Sequence, residues 1–155
     1  MPEEAGKALR YSFKLLGYRG RSESELSKRL RQKGFAPRVV EETLGRLREG
    51  GYLDDGALAR SLRRRAEDVK LLGRRGAWMY LRAMGIPKDV AEDTLEDYDE
   101  LASAVRLVEN RRRKVDGLSP AVARRRLGDQ LRRRGHSAST ARKALESLGV
   151  EGPKR

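Results

Sequence analysis

The sequence predicts an all-α protein made of three tandem three-helix repeats, which we expect to form an elongated, curved array. Apolar residues recur at helical spacing, and no segment alternates apolar and polar residues over a useful length. A sequence motif of Leu, any three residues and Gly, called here the repeated phrase, also recurs about every 50 residues, at Leu30–Gly34, Leu81–Gly85 and Leu131–Gly135. Repetition at a fixed period is the signature of a repeat architecture.

The residues after each phrase keep one register and predict the last helix of each repeat. They are Val39, Val40, Thr43, Leu44 and Leu47; Val90, Ala91, Thr94, Leu95 and Tyr98; and Thr140, Ala141, Ala144, Leu145 and Leu148. The predicted boundaries are 1–50, 51–98 and 99–150, followed by a short basic tail at 151–155. A repeat of this size buries too little surface alone, so adjacent repeats should share contacts.

Start and stop signals divide the pattern into nine helices. Gly34, Gly85 and Gly135 stand where a left-handed residue ends a helix. Ser22 followed by Glu25 is a capping box, and Ser119 before Pro120 is a helix start. The paired acids Asp54 and Asp55 are expected to cap the fourth helix.

Composition excludes several classes of protein. No apolar run approaches the roughly 20 residues of a membrane span, and the N-terminus lacks a signal-peptide pattern, so we expect a cytoplasmic protein. The chain has no cysteine and one histidine. These counts make metal cages and nucleophilic triads improbable, and we expect no enzyme activity, no catalytic residue, no metal and no cofactor. His136 is expected to be a semi-buried turn residue.

The net charge of +13 arises from 36 basic and 23 acidic residues, and it is distributed as +5, 0 and +8 over repeats one, two and three with the tail. Arginine-rich helix faces indicate contact with a nucleic-acid backbone. Because they are spread along the chain, we expect non-specific binding to single-stranded and double-stranded DNA. The candidate contact residues are Arg19, Arg21, Arg63, Arg64, Arg74, Arg75, Arg111, Arg112, Arg125, Arg126, Arg132 and Arg133.

Two further sets of residues complete the candidate surfaces. Asp89 to Glu100 is an acidic segment, interpreted as one helix, and Glu92, Asp93 and Glu96 are candidate contacts to a protein partner. Four aromatic residues at apolar helical positions are expected in the core rather than under bases: Phe13, Phe35, Trp78 and Tyr98. Four other aromatic residues remain candidates for stacking against nucleic-acid bases: Tyr11, Tyr18, Tyr52 and Tyr80.

Several motifs resemble the RecX family, bacterial proteins that modulate the RecA recombinase. They are Arg21-Ser22-Glu23 with Glu25-Leu26, Lys33-Gly34-Phe35, Gly51-Tyr52-Leu53-Asp54-Asp55 with Ala59, and Gly73 with Leu81 through Gly85-Ile86. They cover about half of the chain, and the third repeat matches by length and register. One departure is Leu58, where such proteins commonly have Phe.

This resemblance implies a non-enzymatic regulator that binds the groove of a RecA–DNA filament, blocks strand exchange, suppresses ATP hydrolysis and limits filament growth. A single chain with polar end repeats is expected to be a monomer. Two alternatives stay open on the residues alone. One is a helix-turn-helix-like DNA-binding transcription regulator, since a short Gly-containing turn joins the last two helices of each repeat. The other is a protein scaffold whose charge maintains solubility.

The acidic segment yields a first prediction. Changing Glu92, Asp93 and Glu96 to Lys should weaken filament inhibition without weakening DNA binding, because these carboxylates would face a basic recombinase surface or solvent. RecA ATPase titrations and DNA binding measured on the same variant check this. An unchanged inhibition curve would discard the assignment.

Overall fold

The structure is a computed structural model that describes residues 2–147 and 149. That part of the chain contains nine α-helices, one 3₁₀-helix and no strand, so the all-α prediction is confirmed. The helices are α1 (Pro2–Tyr18), α2 (Glu23–Lys33), α3 (Pro37–Glu49), α4 (Asp55–Asp68), α5 (Arg74–Ala83), α6 (Lys88–Thr94), α7 (Glu100–Arg111), α8 (Pro120–Arg133) and α9 (Ala138–Ser147). The 3₁₀-helix is Arg112–Val115. The predicted tail at 151–155 and the core position Leu148 lie outside the described residues.

The chain divides into two compact units. The first contains Met1–Ser61 and Leu81–Asp93, and the second contains Leu62–Tyr80 and Thr94–Arg155. The three divisions fall within α4, within α5 and before the last residue of α6, all inside the predicted second repeat. The repeat boundaries at 50 and 98 stay a prediction.

The first unit is built around the packed helices α1, α2 and α3. Leu26 and Leu30 are fully buried and lie on one face of α2, since residues four apart share a face. The buried core consists of Ala8, Leu15, Leu26, Leu30, Val39, Val40, Leu44, Leu47 and Leu53. The leucines of the first repeated phrase therefore lie in the core, as the periodicity predicts.

The second unit has a comparable core between α7, α8 and α9. In α8 the buried residues are Ala123, Leu127 and Leu131, again at four-residue spacing. The core contains Leu71, Ala104, Leu107, Val108, Val115, Ala123, Leu127, Leu131, Ala144 and Leu145. Because this face of α8 serves the core, its other faces are left for the charged residues.

The predicted caps are present. Ser22 Oγ accepts a hydrogen bond from the Glu25 amide at 3.0 Å, and Ser119 Oγ accepts one from Val122 at 3.3 Å. The three phrase glycines have φ of +103°, +87° and +84°, the left-handed conformation that ends a helix. Asp54 Oδ1 caps the start of α4 by accepting from the Ala57 amide.

Two sequence-based expectations are wrong. Asp89 to Glu100 is not one helix: α6 ends at Thr94, and α7 begins at Glu100 with Asp99 as its N-cap. The side chain of Asp99 accepts from Ala102, so this polar residue begins a new helix. Phe13, expected in the core, is 42% exposed and packs edge-on against Tyr52 with ring centroids 4.9 Å apart.

In each unit, glycines of one segment pack too closely against another segment to accept a Cβ. In the first unit, a Cβ added to Gly85 would lie 2.2 Å from Ser22 Oγ. In the second unit, a Cβ on Gly73 would lie 2.4 Å from the carbonyl of Gly135, and the Gly73 amide donates to the Arg134 carbonyl at 2.9 Å. In both, a turn of the repeated phrase packs against the start of the second helix of the preceding predicted repeat.

At each of these contacts, a carboxylate from another helix accepts a hydrogen bond from the backbone at the helix start. Asp55 Oδ1 accepts the Glu23 amide at 3.0 Å, and Glu100 Oε1 accepts the Arg74 amide at 3.1 Å. Both amides belong to the first residue of a helix, where no intrahelical acceptor exists. Asp55 therefore caps α2 and Glu100 caps α5. Sequence reasoning assigned Asp55 to its own helix start and did not anticipate that its carboxylate caps α2.

The approach in the second unit yields a prediction. A Cβ on Gly76 would lie 2.1 Å from the Arg134 carbonyl oxygen, so Gly76→Ala should lower the free energy of unfolding by about 1–3 kcal/mol through overpacking. Gly128→Ala is the matched control, because Gly128 lies within α8 with open space around it; it should stabilise by about 0.5–1 kcal/mol. Urea unfolding followed by Trp78 fluorescence checks both. Equal effects would contradict the packing argument.

Candidate nucleic-acid interface

A cleft in the second unit brings together three arginines. Arg111, Gln130, Arg133 and Arg134 line an open cavity of about 460 Å³. Arg111 ends α7, and Arg133 ends α8 with Arg134 as its C-cap. The carbonyl-rich C-termini of helices favour nearby cations, which explains why the chain tolerates this clustering.

The cleft has uncompensated positive charge. Arg111, Arg133 and Arg134 form no ion pair with any carboxylate in residues 2–147. Burial lowers the pKa of Arg134, and the charges of Arg111 and Arg133 lower it further. Its guanidinium donates to the Lys70 carbonyl, which fixes the group in place. An anion bound here would relieve the repulsion among the three cations.

The other predicted arginines of α8 lie on different surfaces. Arg125 and Arg132 line a groove with α9, together with Arg124 and Arg142, whereas Arg133 lines the cleft. The seven-residue spacing of Arg125 from Arg132 and of Arg126 from Arg133 predicts one outer ridge on this helix. The structure separates this ridge into two cationic surfaces, and Arg126 is exposed without lining either.

Arg63 is held in place by contacts within the second unit. Its Nε donates to Glu67 at 2.8 Å, its Nη1 pairs with Asp97, and its guanidinium lies 5.6 Å from the Tyr98 ring centroid. The hydrogen bond with Asp97 raises the pKa of Arg63, although burial opposes this. These contacts leave Arg63 fewer donors for a phosphate. Four other candidates are exposed: Arg64, Arg74, Arg75 and Arg112.

The two candidates of the first unit share one carboxylate. Arg19 and Arg21 both pair with Glu25, at 2.5 and 2.8 Å, and Arg21 also donates to the Leu15 carbonyl at 3.1 Å. The Arg21 side chain is only 9% exposed, whereas that of Arg19 is 44% exposed. Arg21 therefore joins the end of α1 to α2, and Arg19 offers the more accessible cation.

The three acidic candidates are exposed. Glu92 and Asp93 lie on α6, and Glu96 lies in the turn after it. None of the three pairs with a cation in the described residues. The neighbouring acids Asp97 and Glu100 are instead used in internal contacts.

Exposed aromatic rings are confined to the first unit. Tyr18 is 73% exposed, and Tyr52 is 58% exposed beside Phe13. The other two candidates contact neighbours: Tyr11 lies near Phe35, and Tyr80 lies under Lys70, whose Nζ is 4.9 Å from the ring centroid. The helical periodicity placed Phe13 inside and so missed the exposed ring pair.

His136 is buried in the second unit. It is 6% exposed, its Nε2 lies 3.0 Å from the Leu71 carbonyl oxygen, and its Nδ1 has no partner among the described residues. Burial lowers its pKa. Leu71 has φ of +52°, a conformation that is unfavourable for a leucine. His136 thus supports a strained loop, in agreement with its predicted place in a turn, although it is more buried than expected.

Two other kinds of feature are absent from the described residues. No cluster of three or more His, Asp and Glu there is suited to hold a metal ion. No described helix is long and apolar enough to cross a membrane.

The fold and these surfaces define a class of protein, namely a helical-repeat protein with arginine-lined surfaces. A family model described as RecX, first three-helix domain, matches residues 8–47. The chain is 32% identical to the regulatory protein RecX of Prosthecochloris aestuarii, covering 92% of this chain and 93% of that protein. It is 35% identical to the regulatory protein RecX of a Mycobacterium species (strain JLS), covering 97% and 84%.

The fold agrees with that of a solved relative. The crystal structure of RecX from Lactobacillus salivarius superposes with a TM-score of 0.82 at 19% identity, covering 97% of this chain and 100% of that one. The sequence matches extend over nearly the whole chain, including the third repeat, where the motifs were weakest. The chain belongs to the RecX family of regulatory proteins.

The buried histidine yields a pH prediction. Because its pKa is lower in the folded chain than the ordinary 6.5, the unfolded chain binds the proton first as the pH falls. Stability should therefore be constant above about pH 7 and decrease below 6.5, by at most about 1.4 kcal/mol per pH unit.

The matched variant is His136→Phe, because Phe35 occupies the equivalent position in the first predicted repeat. Urea unfolding between pH 7.5 and 5.5 should show a smaller decrease for this variant than for the wild type. Parallel pH dependences in the two proteins would show that His136 is not the responsible group.

Proposed function

We propose that this protein is a non-enzymatic regulator, mainly an inhibitor, of the RecA recombinase. It binds in the groove of the RecA–DNA filament and suppresses ATP hydrolysis and strand exchange, acting in the cytoplasm as a monomer. Membership of the RecX family supports the regulatory role. The DNA contacts are secondary and non-specific.

The cleft of Arg111, Arg133 and Arg134 carries the DNA-binding part of the proposal. Three guanidinium groups line one open cavity, and no described carboxylate pairs with any of them. Guanidinium groups bind phosphate oxygens in bidentate fashion, and backbone contact of this kind needs no base recognition. A phosphodiester strand is therefore the ligand that best matches the cleft.

The charge distribution supports simultaneous contact with protein. Three acidic residues are exposed and form no ion pair with a described cation: Glu92, Asp93 and Glu96. The cleft, in contrast, attracts phosphate. Exposed carboxylates are repelled by DNA and are suited to contact with a basic protein surface. A filament offers both kinds of partner, since it contains nucleic acid and protein together.

The test of the function is a titration of the chain into a RecA ATPase reaction on single-stranded DNA. The rate of hydrolysis should fall as the chain is added, and a flat rate would count against the proposal. Footprinting on duplex DNA addresses the transcription-regulator alternative, which requires sequence-dependent protection.

The test of the cleft is the double variant Arg111→Gln, Arg133→Gln. Its affinity for single-stranded DNA should fall about tenfold. The slope of the logarithm of the binding constant against the logarithm of the salt concentration should become shallower by about 1.4, because two phosphate contacts are lost. Fluorescence anisotropy over a range of salt concentrations measures both quantities.

The matched control is Arg38→Gln, Arg46→Gln, which removes two exposed arginines from α3. It has the same change in net charge and should keep the wild-type salt slope to within measurement error. Equal losses in the two double variants would mean that net charge, not the cleft, determines the affinity.

A further inference from the structure

The groove between α8 and α9 differs from the cleft in having an apolar floor. Its volume is about 520 Å³, and the floor contains Ala121, Gly128, Ala138, Ala141 and Leu145. A Cβ built on Gly128 has no atom within 4 Å, so the centre of the groove has space for another side chain. The core faces of α8 and α9 are occupied by α7, which leaves this second face open.

The rim of the groove is cationic. Arg124, Arg125, Arg132 and Arg142 line it with a single acid, Asp129, whose oxygen is 3.8 Å from Arg132. A partner must therefore carry negative charge. It must also carry aliphatic groups, because a phosphodiester backbone would gain little from methyl and methylene groups in the floor.

A buried histidine contributes to the lining as well. His136 lines the groove, and its buried Nδ1 makes no hydrogen bond within the described residues. Because this atom is buried, an occupant is held by the apolar floor and the cationic rim.

The dimensions of the groove match a helix. The lining residues of α8 run from Ala121 to Arg132, about three turns and roughly 16 Å at 1.5 Å per residue. Those of α9 run from Ala138 to Leu145 at positions that share one face. Two facing stripes of small residues allow a third helix to approach closely between them.

We propose that the α8–α9 groove binds an acidic amphipathic α-helix of a partner protein. Aliphatic side chains of that helix pack over Gly128 and Ala141, and its carboxylates pair with the arginines of the rim. This is the helix-in-groove mode of recognition. The groove is then a protein-docking surface distinct from the phosphate-binding cleft, although both include residues of α8.

The test uses Gly128→Leu, which fills the groove from its floor. The matched control is Gly45→Leu, since Gly45 also lies within a helix and also has open space around it. The probe is a fluorescein-labelled synthetic helix of about four turns, with leucine on one face and glutamate on the other. Anisotropy gives its affinity, and a labelled single-stranded oligonucleotide is measured in parallel.

Gly128→Leu should weaken peptide binding about tenfold and leave oligonucleotide binding unchanged, whereas Gly45→Leu should change neither. Arg142→Gln should also weaken peptide binding, and it does so without filling the groove. The proposal is overturned if the peptide does not bind saturably, if both glycine variants behave alike, or if Gly128→Leu weakens oligonucleotide binding as much as peptide binding.

A second measurement connects the groove to the recombinase and rests on the proposed function. Gly128→Leu should need a higher concentration than the wild type or Gly45→Leu to inhibit the RecA ATPase. If the wild type does not inhibit at all, the proposed function fails, while the peptide result still decides whether the groove binds an acidic helix. If Gly128→Leu inhibits like the wild type, the acidic helix belongs to a partner other than the recombinase.

Discussion

The close approach of backbone at glycine is the constraint on which both compact units depend. Gly85 packs against Ser22 in one unit, and Gly73 and Gly76 pack against the segment from Arg134 to His136 in the other. Each contact leaves no space for a Cβ, so Gly85 and Gly135 serve twice, as helix ends and as contact points. A carboxylate from the first helix of the following predicted repeat caps the same helix start each time, through Asp55 and Glu100.

This constraint determines where the cations lie. The segment that packs against Gly73 and Gly76 contains Arg134, whose guanidinium is anchored at the Lys70 carbonyl. Arg133 and Arg111 stand beside it and form the cleft. The remaining face of α8 is left to line the groove with α9. A single packing arrangement therefore divides the arginines of one helix between the cleft and the groove.

Helix positions were predictable because their causes are local. Capping at Ser22 and Ser119 and the left-handed glycines depend on residues within a few positions, and four-residue spacing identified Leu26, Leu30, Leu127 and Leu131 as core. The acidic segment was misread because Asp99 can serve equally as a helix residue or as an N-cap. Phe13 was expected in the core because helical periodicity identifies an apolar position but does not show whether another segment covers it. The ring that packs against Phe13 is Tyr52, which is itself exposed.

The sequence by itself determined the helical class, the three phrases, the excess of positive charge and the family resemblance. It did so because propensity, capping and charge count are properties of short segments. Only the tertiary structure decided which arginines pair with a carboxylate. Arg21 and Arg63 are engaged by Glu25 and Asp97, whereas Arg111, Arg133 and Arg134 have no described acidic partner. Pairing depends on which residues the folded helices bring within 4 Å, and sequence spacing does not fix that distance between different helices.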